Sequence, residues 1–195
     1  LPSASDVQSA VARVGWQHLQ VTQRRIGFSQ PHMAATLNGI AQGFAGDLAQ
    51  AALRSLGVEH ALIDTGEWSA LGISPQQSPW TLAVADPRHP DALIAKLAMG
   101  GGAIATSSDA HYRFGDGDKH HHIFNPQTGY SPRELASVTV IASSCALADA
   151  LTKVMFMASA TQALELAKRW KVEVLVVDKA GKWQASDTLR ARLQA

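Results

Sequence analysis

The segment SVTVIASSCALADALTKV, residues 137–154, combines the pattern of a strand with the pattern of a helix. Val138, Val140 and Ile141 are β-branched, and they predict a strand over residues 138–142. Ser144 is a residue type that caps helix N-termini, and it predicts a helix over residues 146–157. The segment therefore predicts a buried strand that turns directly into a helix.

Asp149 and Lys153 lie four positions apart in this helix, so they share one of its faces. An ion pair between the two side chains is the ordinary interpretation of that spacing. The alternative is a magnesium site at Asp149, which would require other oxygen ligands to converge on the carboxylate.

A second helix is predicted within TLNGIAQGFAGDLAQAALRSLG, residues 36–57, because apolar residues recur every four positions from Ile40. Asn38 is its expected N-cap. A glycine-rich helix start exposes backbone N–H groups that can bind a phosphate. The glycine spacing matches neither a Walker motif nor GxGxxG, so close helix packing through Gly39 and Gly43 is the favoured interpretation.

The remaining patterns are mostly those of strands. Further strands are predicted at residues 60–64, 80–85, 103–106, 172–178 and 182–185, a hairpin at 112–124, an extended stretch at 19–28, and helices at 6–17 and 162–170. Strands in runs with only a few helices favour an α+β layered domain with a mixed or antiparallel sheet and flanking helices. No internal boundary divides the 195 residues into two domains.

Composition excludes several classes of function. Hydrophobic residues make up 46% and charged residues 17% of the chain, as in a globular domain. The longest apolar runs fall far short of the roughly 20 residues of a membrane-spanning helix, so no membrane span is expected. A net charge of +1 argues against a nucleic-acid partner. Cys145 is the single cysteine, so an intramolecular disulfide is impossible.

Two polar segments are candidates for chemistry. In KHHHIFNPQTGY, residues 119–130, three consecutive histidines alternate in direction along a strand and cannot converge on one metal ion. One inward histidine beside the NPQTG turn fits a catalytic imidazole, and a hydrogen-bonded core histidine fits equally well. In ATSSDAHYRF, residues 105–114, Thr106 and Ser107 offer hydroxyl groups to an anion.

In their order along the chain, these segments resemble the ApbE family of flavin transferases, which move FMN from FAD onto a threonine of a target protein with Mg²⁺. The corresponding stretches are NGIAQGFAGD, DTGEW, ADPRHP, ATSSDAHY, HIFNPQTGYS and SVTVIASSCALADALTKV. The likeness is strong over roughly residues 37–160. It implies an ApbE-like fold in a single flavin transferase domain over residues 1–195, without the amino-terminal part of the family fold.

The resemblance also implies a set of site residues. His122 corresponds to the family histidine and is the expected catalytic residue. The residues expected to bind FAD are Gly39, Ile40, Ala41, Gln42, Gly43, Asp47, Glu67, Thr106, Ser107, Thr128 and Gly129. The metal is expected at the main-chain oxygen of Ala41, at Asp149 and at a threonine four residues further on, where this chain has Lys153.

These implications support two hypotheses of function. The first is an FAD:protein FMN transferase, with FAD as substrate, Mg²⁺ as metal, an acceptor flavoprotein as partner and a periplasmic or exported location. The alternative is a non-catalytic relative that binds FAD, another nucleotide or a protein, in which Lys153 replaces the charge of the metal. A transition-metal site on the histidine strand is a third, less favoured hypothesis.

Overall fold

The computed structural model describes residues 1–115 and 119–194. Its α-helices are α1 (Ala4–Val11), α2 (Ala41–Ser55), α3 (Cys145–Phe156), α4 (Ala160–Trp170) and α5 (Asp187–Arg190), and a short 3₁₀ helix spans Trp16–His18. Its strands are β1 (Leu19–Val21), β2 (Ile26–Phe28), β3 (Ala61–Asp64), β4 (Trp68–Leu71), β5 (Trp80–Ala85), β6 (Leu93–Met99), β7 (Gly102–Ser108), β8 (Leu135–Ala142), β9 (Glu173–Asp178), β10 (Trp183–Ala185) and β11 (Leu193–Gln194).

A six-stranded sheet in the order β10-β9-β8-β7-β4-β3 forms the middle layer, and each neighbouring pair is antiparallel. One hydrophobic cluster lies between this sheet and helices α3 and α4. A second cluster lies between its opposite face and the small sheet β11-β6-β5. The expected α+β class with an antiparallel sheet is confirmed.

Strand β8 has core on both faces, so its polar residues are buried as well as its apolar ones. All eight of its residues are buried. Val138 and Val140 belong to the cluster under the helices, whereas Ile141 belongs to the cluster under the small sheet. Ser137 and Thr139 therefore lie in the interior, although polar residues at alternate positions are typical of a half-exposed strand.

Helices α2 and α3 approach each other closely at Gly43. A Cβ atom on Gly43 would lie 2.4 Å from the carbonyl oxygen of Cys145 and 2.7 Å from Cβ of Asp149. The carboxylate of Asp47, one turn further along α2, accepts hydrogen bonds from the N–H groups of Cys145 at 2.7 Å and Ala146 at 3.0 Å. Gly43 therefore serves close helix packing, while Asp47 caps the start of α3.

Several predicted boundaries were wrong. Helix α1 ends at Val11 rather than at residue 17, and its cap is Ser3, whose side chain accepts from the N–H of Asp6. Helix α2 begins at Ala41 instead of just after Asn38, because the N–H groups of residues 40 and 41 both bond to the carbonyl of Leu37 in a preceding turn. Ser144 caps α3 as predicted.

Three strands, β4, β6 and β11, were not predicted, and neither β4 nor β6 has a clear alternation of apolar and polar residues. In the predicted hairpin, Arg113 and His121 form an isolated antiparallel bridge. The turn of that hairpin, residues 116–118, lies outside the described residues.

Within the described part of the chain, no helix combines the length and the apolar character that crossing a membrane requires.

Replacing Gly43 with Ala tests the contact between α2 and α3. The new methyl group would press on backbone atoms of Cys145, so we expect the free energy of unfolding to fall by about 1–3 kcal/mol, despite the better helix propensity of Ala. Urea unfolding measures this change in the free energy of unfolding. Gly101→Ala is the control, because a Cβ there meets nothing within 4 Å. Unchanged stability in Gly43→Ala would contradict the packing role.

Candidate functional site

A cleft of about 1320 Å³ opens beside the start of α2, the ends of β4 and β7, and strand β5. This volume exceeds the ~300–1,000 Å³ typical of sites for small ligands and is large enough for a dinucleotide. The residues of the predicted site that line it are Gly39, Gln42, Glu67, Thr106, Ser107, His122 and Lys153. Segments that lie far apart in the sequence thus meet at one cleft.

Other residues of the predicted site do not line this cleft. They are Ile40, Ala41, Gly43, Asp47, Thr128, Gly129 and Asp149. Gly129 packs against α1, where a Cβ would lie 2.6 Å from Cγ1 of Val7. Thr128 is exposed, and its hydroxyl accepts from the N–H of Tyr130 in the NPQTG turn. Ligand contacts at these positions stay predictions.

Glu67 brings a buried carboxyl group to the cleft. It is 6% exposed, and its Oε2 atom accepts a hydrogen bond from the N–H of Thr106 at 3.0 Å. The pairing of β4 with β7 stops at Trp68 and Ile104, so the side chain of Glu67 meets a backbone donor of β7 just beyond the paired region. Burial raises the pKa of Glu67 to about 7, which makes this carboxyl able to hold a proton near neutral pH.

The partners of Asp149 show whether the residues at the expected site could hold a metal ion. The side chain is fully buried, and its Oδ2 atom accepts from the N–H of Gly43 at 3.0 Å. Its Oδ1 atom forms an ion pair with the ammonium group of Lys153. Both carboxylate oxygens therefore have donors, and one donor is a cation that repels a metal ion. The residues present do not fit Mg²⁺.

The neighbouring hydroxyl groups are hydrogen-bonded within the protein. Ser107 and Thr152 share a hydrogen bond of 2.6 Å between their side-chain oxygens, and Thr152 also donates to the carbonyl of Asp149 at 2.7 Å. Thr106 shares one of 2.9 Å with Thr139. Thr152 thus does not supply a free metal ligand, and the hydroxyl groups instead tie β7 to α3 and β8.

A cluster of charges around Asp109 was missed by sequence reasoning. Arg88 donates two hydrogen bonds of 2.7 and 2.8 Å to this fully buried carboxylate, and Lys179 donates one of 2.5 Å. Burial alone would raise the pKa of Asp109, but these hydrogen bonds and charges outweigh it and hold the pKa below its usual value. Arg88 and Arg113 also line the cleft. The Asp-Pro-Arg triplet that contains Arg88 is the one signal the sequence offered.

Two of the three consecutive histidines, His121 and His122, have different surroundings. His121 is fully buried; its Nε2–H donates to the carbonyl of Pro132 at 3.3 Å, and its Nδ1 accepts from the N–H of Ile123 at 3.4 Å. Burial lowers the pKa of His121 and favours the neutral ring. His122 is exposed and lines the cleft, with its ring centroid 5.4 Å from that of Tyr112. His121 is therefore the core histidine.

Across residues 1–115 and 119–194, no three His, Cys, Asp or Glu side chains are placed together to hold a metal ion. Fold and cleft together define a layered α+β protein with a large cleft beside strands β4, β5 and β7. The model of the ApbE family matches residues 1–176. The chain belongs to the ApbE family.

Curated relatives and solved structures agree with this assignment. The chain is 29% identical over 189 residues to the FAD:protein FMN transferase of Salmonella typhimurium, covering 93% of this chain and 54% of that protein. It is 33% identical over 161 residues to one from Klebsiella pneumoniae, covering 80% and 49%. The chain thus spans about half the length of the curated relatives it matches.

Among solved structures, the ApbE protein of Thermotoga maritima superposes with a TM-score of 0.92 at 27% identity, over 100% of this chain and 65% of that chain. The flavin transferase ApbE from Vibrio cholerae superposes with a TM-score of 0.87 at 27% identity, over 99% and 63%. The fold described here is therefore that of the family.

Replacing Glu67 with Gln tests its raised pKa. Since the pKa rises from an ordinary value of 4.5 to about 7 on folding, the folded state binds the proton more tightly. The free energy of unfolding of the unaltered protein should therefore fall, relative to Glu67→Gln, by about 3 kcal/mol as the pH rises from 4.5 to 7. Urea unfolding at a series of pH values measures this difference.

The matched control is Glu165→Gln, which removes an exposed carboxylate from α4. It should show the same pH dependence as the unaltered protein. A constant stability difference between the unaltered protein and Glu67→Gln from pH 4 to 8 would contradict the raised pKa.

Proposed function

We propose that this chain binds FAD in the cleft and acts as an FAD:protein FMN transferase, the activity for which its curated relatives are named. The observation that carries the proposal is the convergence of the family-like segments on one cleft. Gln42, Glu67, Arg88, Thr106 and His122 come from five different segments, and all five line it. The fold brings these distant residues together, and the cleft that they line is large enough for a dinucleotide.

In the proposed reaction, a threonine hydroxyl of an acceptor flavoprotein attacks the phosphorus atom of the FMN half of FAD. The new O–P bond forms, the phosphoanhydride bond breaks, and AMP leaves with the bond electrons. His122 takes the hydroxyl proton, since its exposed imidazole lines the cleft and is accessible to a partner protein. Arg88 and Arg113 contribute positive charge to the wall of the cleft.

Magnesium has no part in this proposal, because Lys153 is paired with Asp149 where the metal is expected. A location outside the cytoplasm, in the periplasm or after export, is proposed from the family resemblance alone.

A second candidate function is non-catalytic binding of FAD or another nucleotide. The observation that favours it is again the Asp149–Lys153 pair, since an altered cation site need not retain transfer activity. The two candidates share ligand binding and differ in the covalent product.

The decisive assay incubates the purified chain with FAD and a threonine-containing acceptor flavoprotein, and measures the acceptor by mass spectrometry. We expect the acceptor to gain the mass of FMN less one water, because the new O–P bond replaces the hydrogen of the threonine hydroxyl. His122→Ala should slow this gain by about 100-fold or more, because the proton acceptor is lost. FAD affinity should stay within about threefold, since the imidazole acts on the acceptor hydroxyl.

His120→Ala is the matched control, because His120 stacks on Phe114 and does not line the cleft. It should transfer FMN at the unaltered rate. FAD binding without any adduct would favour the non-catalytic candidate. Absence of FAD binding would contradict the transferase and would leave the second candidate only with a nucleotide other than FAD.

A further inference from the structure

Lys153 lies between a glycine and a buried carboxylate. A Cβ atom on Gly39 would be 3.7 Å from Cγ of Lys153 and 3.8 Å from its Cε, so the aliphatic stem runs past Gly39 at ordinary contact distance. Its ammonium group pairs with Asp149. About one third of the side chain remains exposed, and the residue lines the cleft. The lysine therefore presents its charge to the cleft from a fixed position.

The charge of Asp149 explains why a cation is held here. A fully buried carboxylate is costly unless a partner neutralises it, and the N–H of Gly43 supplies only a dipole. Lys153 supplies one full positive charge. An ammonium group has three N–H donors, and of the described residues only Asp149 receives one of them. The other donors are available to an oxygen atom of a ligand in the cleft.

We propose that the ammonium group of Lys153 serves as the built-in cation of this cleft, so that the pyrophosphate of a dinucleotide binds without a divalent metal ion. The inference rests on the proposed function for the identity of that ligand as FAD. Lysine binds phosphate oxygens as a point charge, which suits a site where the charge is positioned by a buried partner.

The same arrangement disfavours a metal ion. Mg²⁺ requires a near-octahedral set of oxygen ligands, and Asp149 already accepts from two donors. The hydroxyl of Thr152 is bonded to Ser107 and to the carbonyl of Asp149. A threonine at position 153 would remove the ammonium group and place an oxygen atom there instead, which makes the proposal testable by substitution.

The experiment is calorimetric titration of the full chain with FAD, in EDTA and in Mg²⁺. The unaltered protein should bind FAD with the same affinity in both, within about twofold. Lys153→Met, which keeps the stem and removes the charge, should lose about tenfold or more in both. Lys153→Thr should lose about tenfold in EDTA and recover in Mg²⁺.

Lys168→Met is the matched control, because it removes a lysine from an exposed ion pair with Glu165 on α4. It should bind FAD as the unaltered protein does. A requirement of the unaltered protein for Mg²⁺, or unchanged FAD affinity in Lys153→Met, would overturn the proposal.

Titration with Mn²⁺ in the absence of FAD, followed by electron paramagnetic resonance, separates this proposal from the proposed function. Lys153→Thr should bind Mn²⁺, and the unaltered protein should not. If FAD binds to none of the proteins, the proposed function fails and so does the role of Lys153 toward FAD. In that case, Mn²⁺ binding to Lys153→Thr but not to the unaltered protein still supports the inference that the lysine replaces a metal ion. Mn²⁺ binding to the unaltered protein overturns that inference.

Discussion

The contact of helices α2 and α3 at Gly43 positions much of the cleft. Because Gly43 has no side chain, the backbone of α2 reaches the carbonyl of Cys145, and its own N–H group reaches Asp149. Asp47 caps α3 from the same helix. Asp149 in turn fixes the ammonium group of Lys153. A chain of short polar contacts thus runs from a glycine in one helix to a cation at the cleft.

The buried carboxylates of this region differ in what neutralises them. Asp149 is paired with Lys153, and Asp109 is paired with Arg88 and Lys179. Glu67 instead receives a backbone N–H, and Lys153 acts on it only through space. Burial disfavours the charged form of both Glu67 and Asp109, and only Asp109 has bonded cations that outweigh burial and lower its pKa. The cleft is therefore lined by a carboxyl that can take a proton near neutral pH, whereas the two carboxylates paired with cations do not line it.

The sequence was most informative where a pattern is local. Ser144 predicted the start of α3 correctly, because a cap and its helix are adjacent in sequence. The Asp109 cluster had no such signal, since Asp109 lies 21 positions from Arg88 and 70 from Lys179. Asp47 was expected at FAD, and its capping of α3 across 98 positions became visible only in the fold. The family resemblance identified candidate site residues. Only the fold showed which of them pack the helices together and which line the cleft.

Cys145 sits in this helix contact, with its Sγ atom 3.1 Å from where a Cβ on Gly46 would be. Burial raises the pKa of its thiol to about 12, so the reactive thiolate is scarce while the helices stay together. Alkylating reagents can therefore reach it only during excursions that separate α2 from α3. The rate at which the single cysteine of the chain is modified therefore reports how often this contact opens, and with it how often the N–H of Gly43 leaves Asp149.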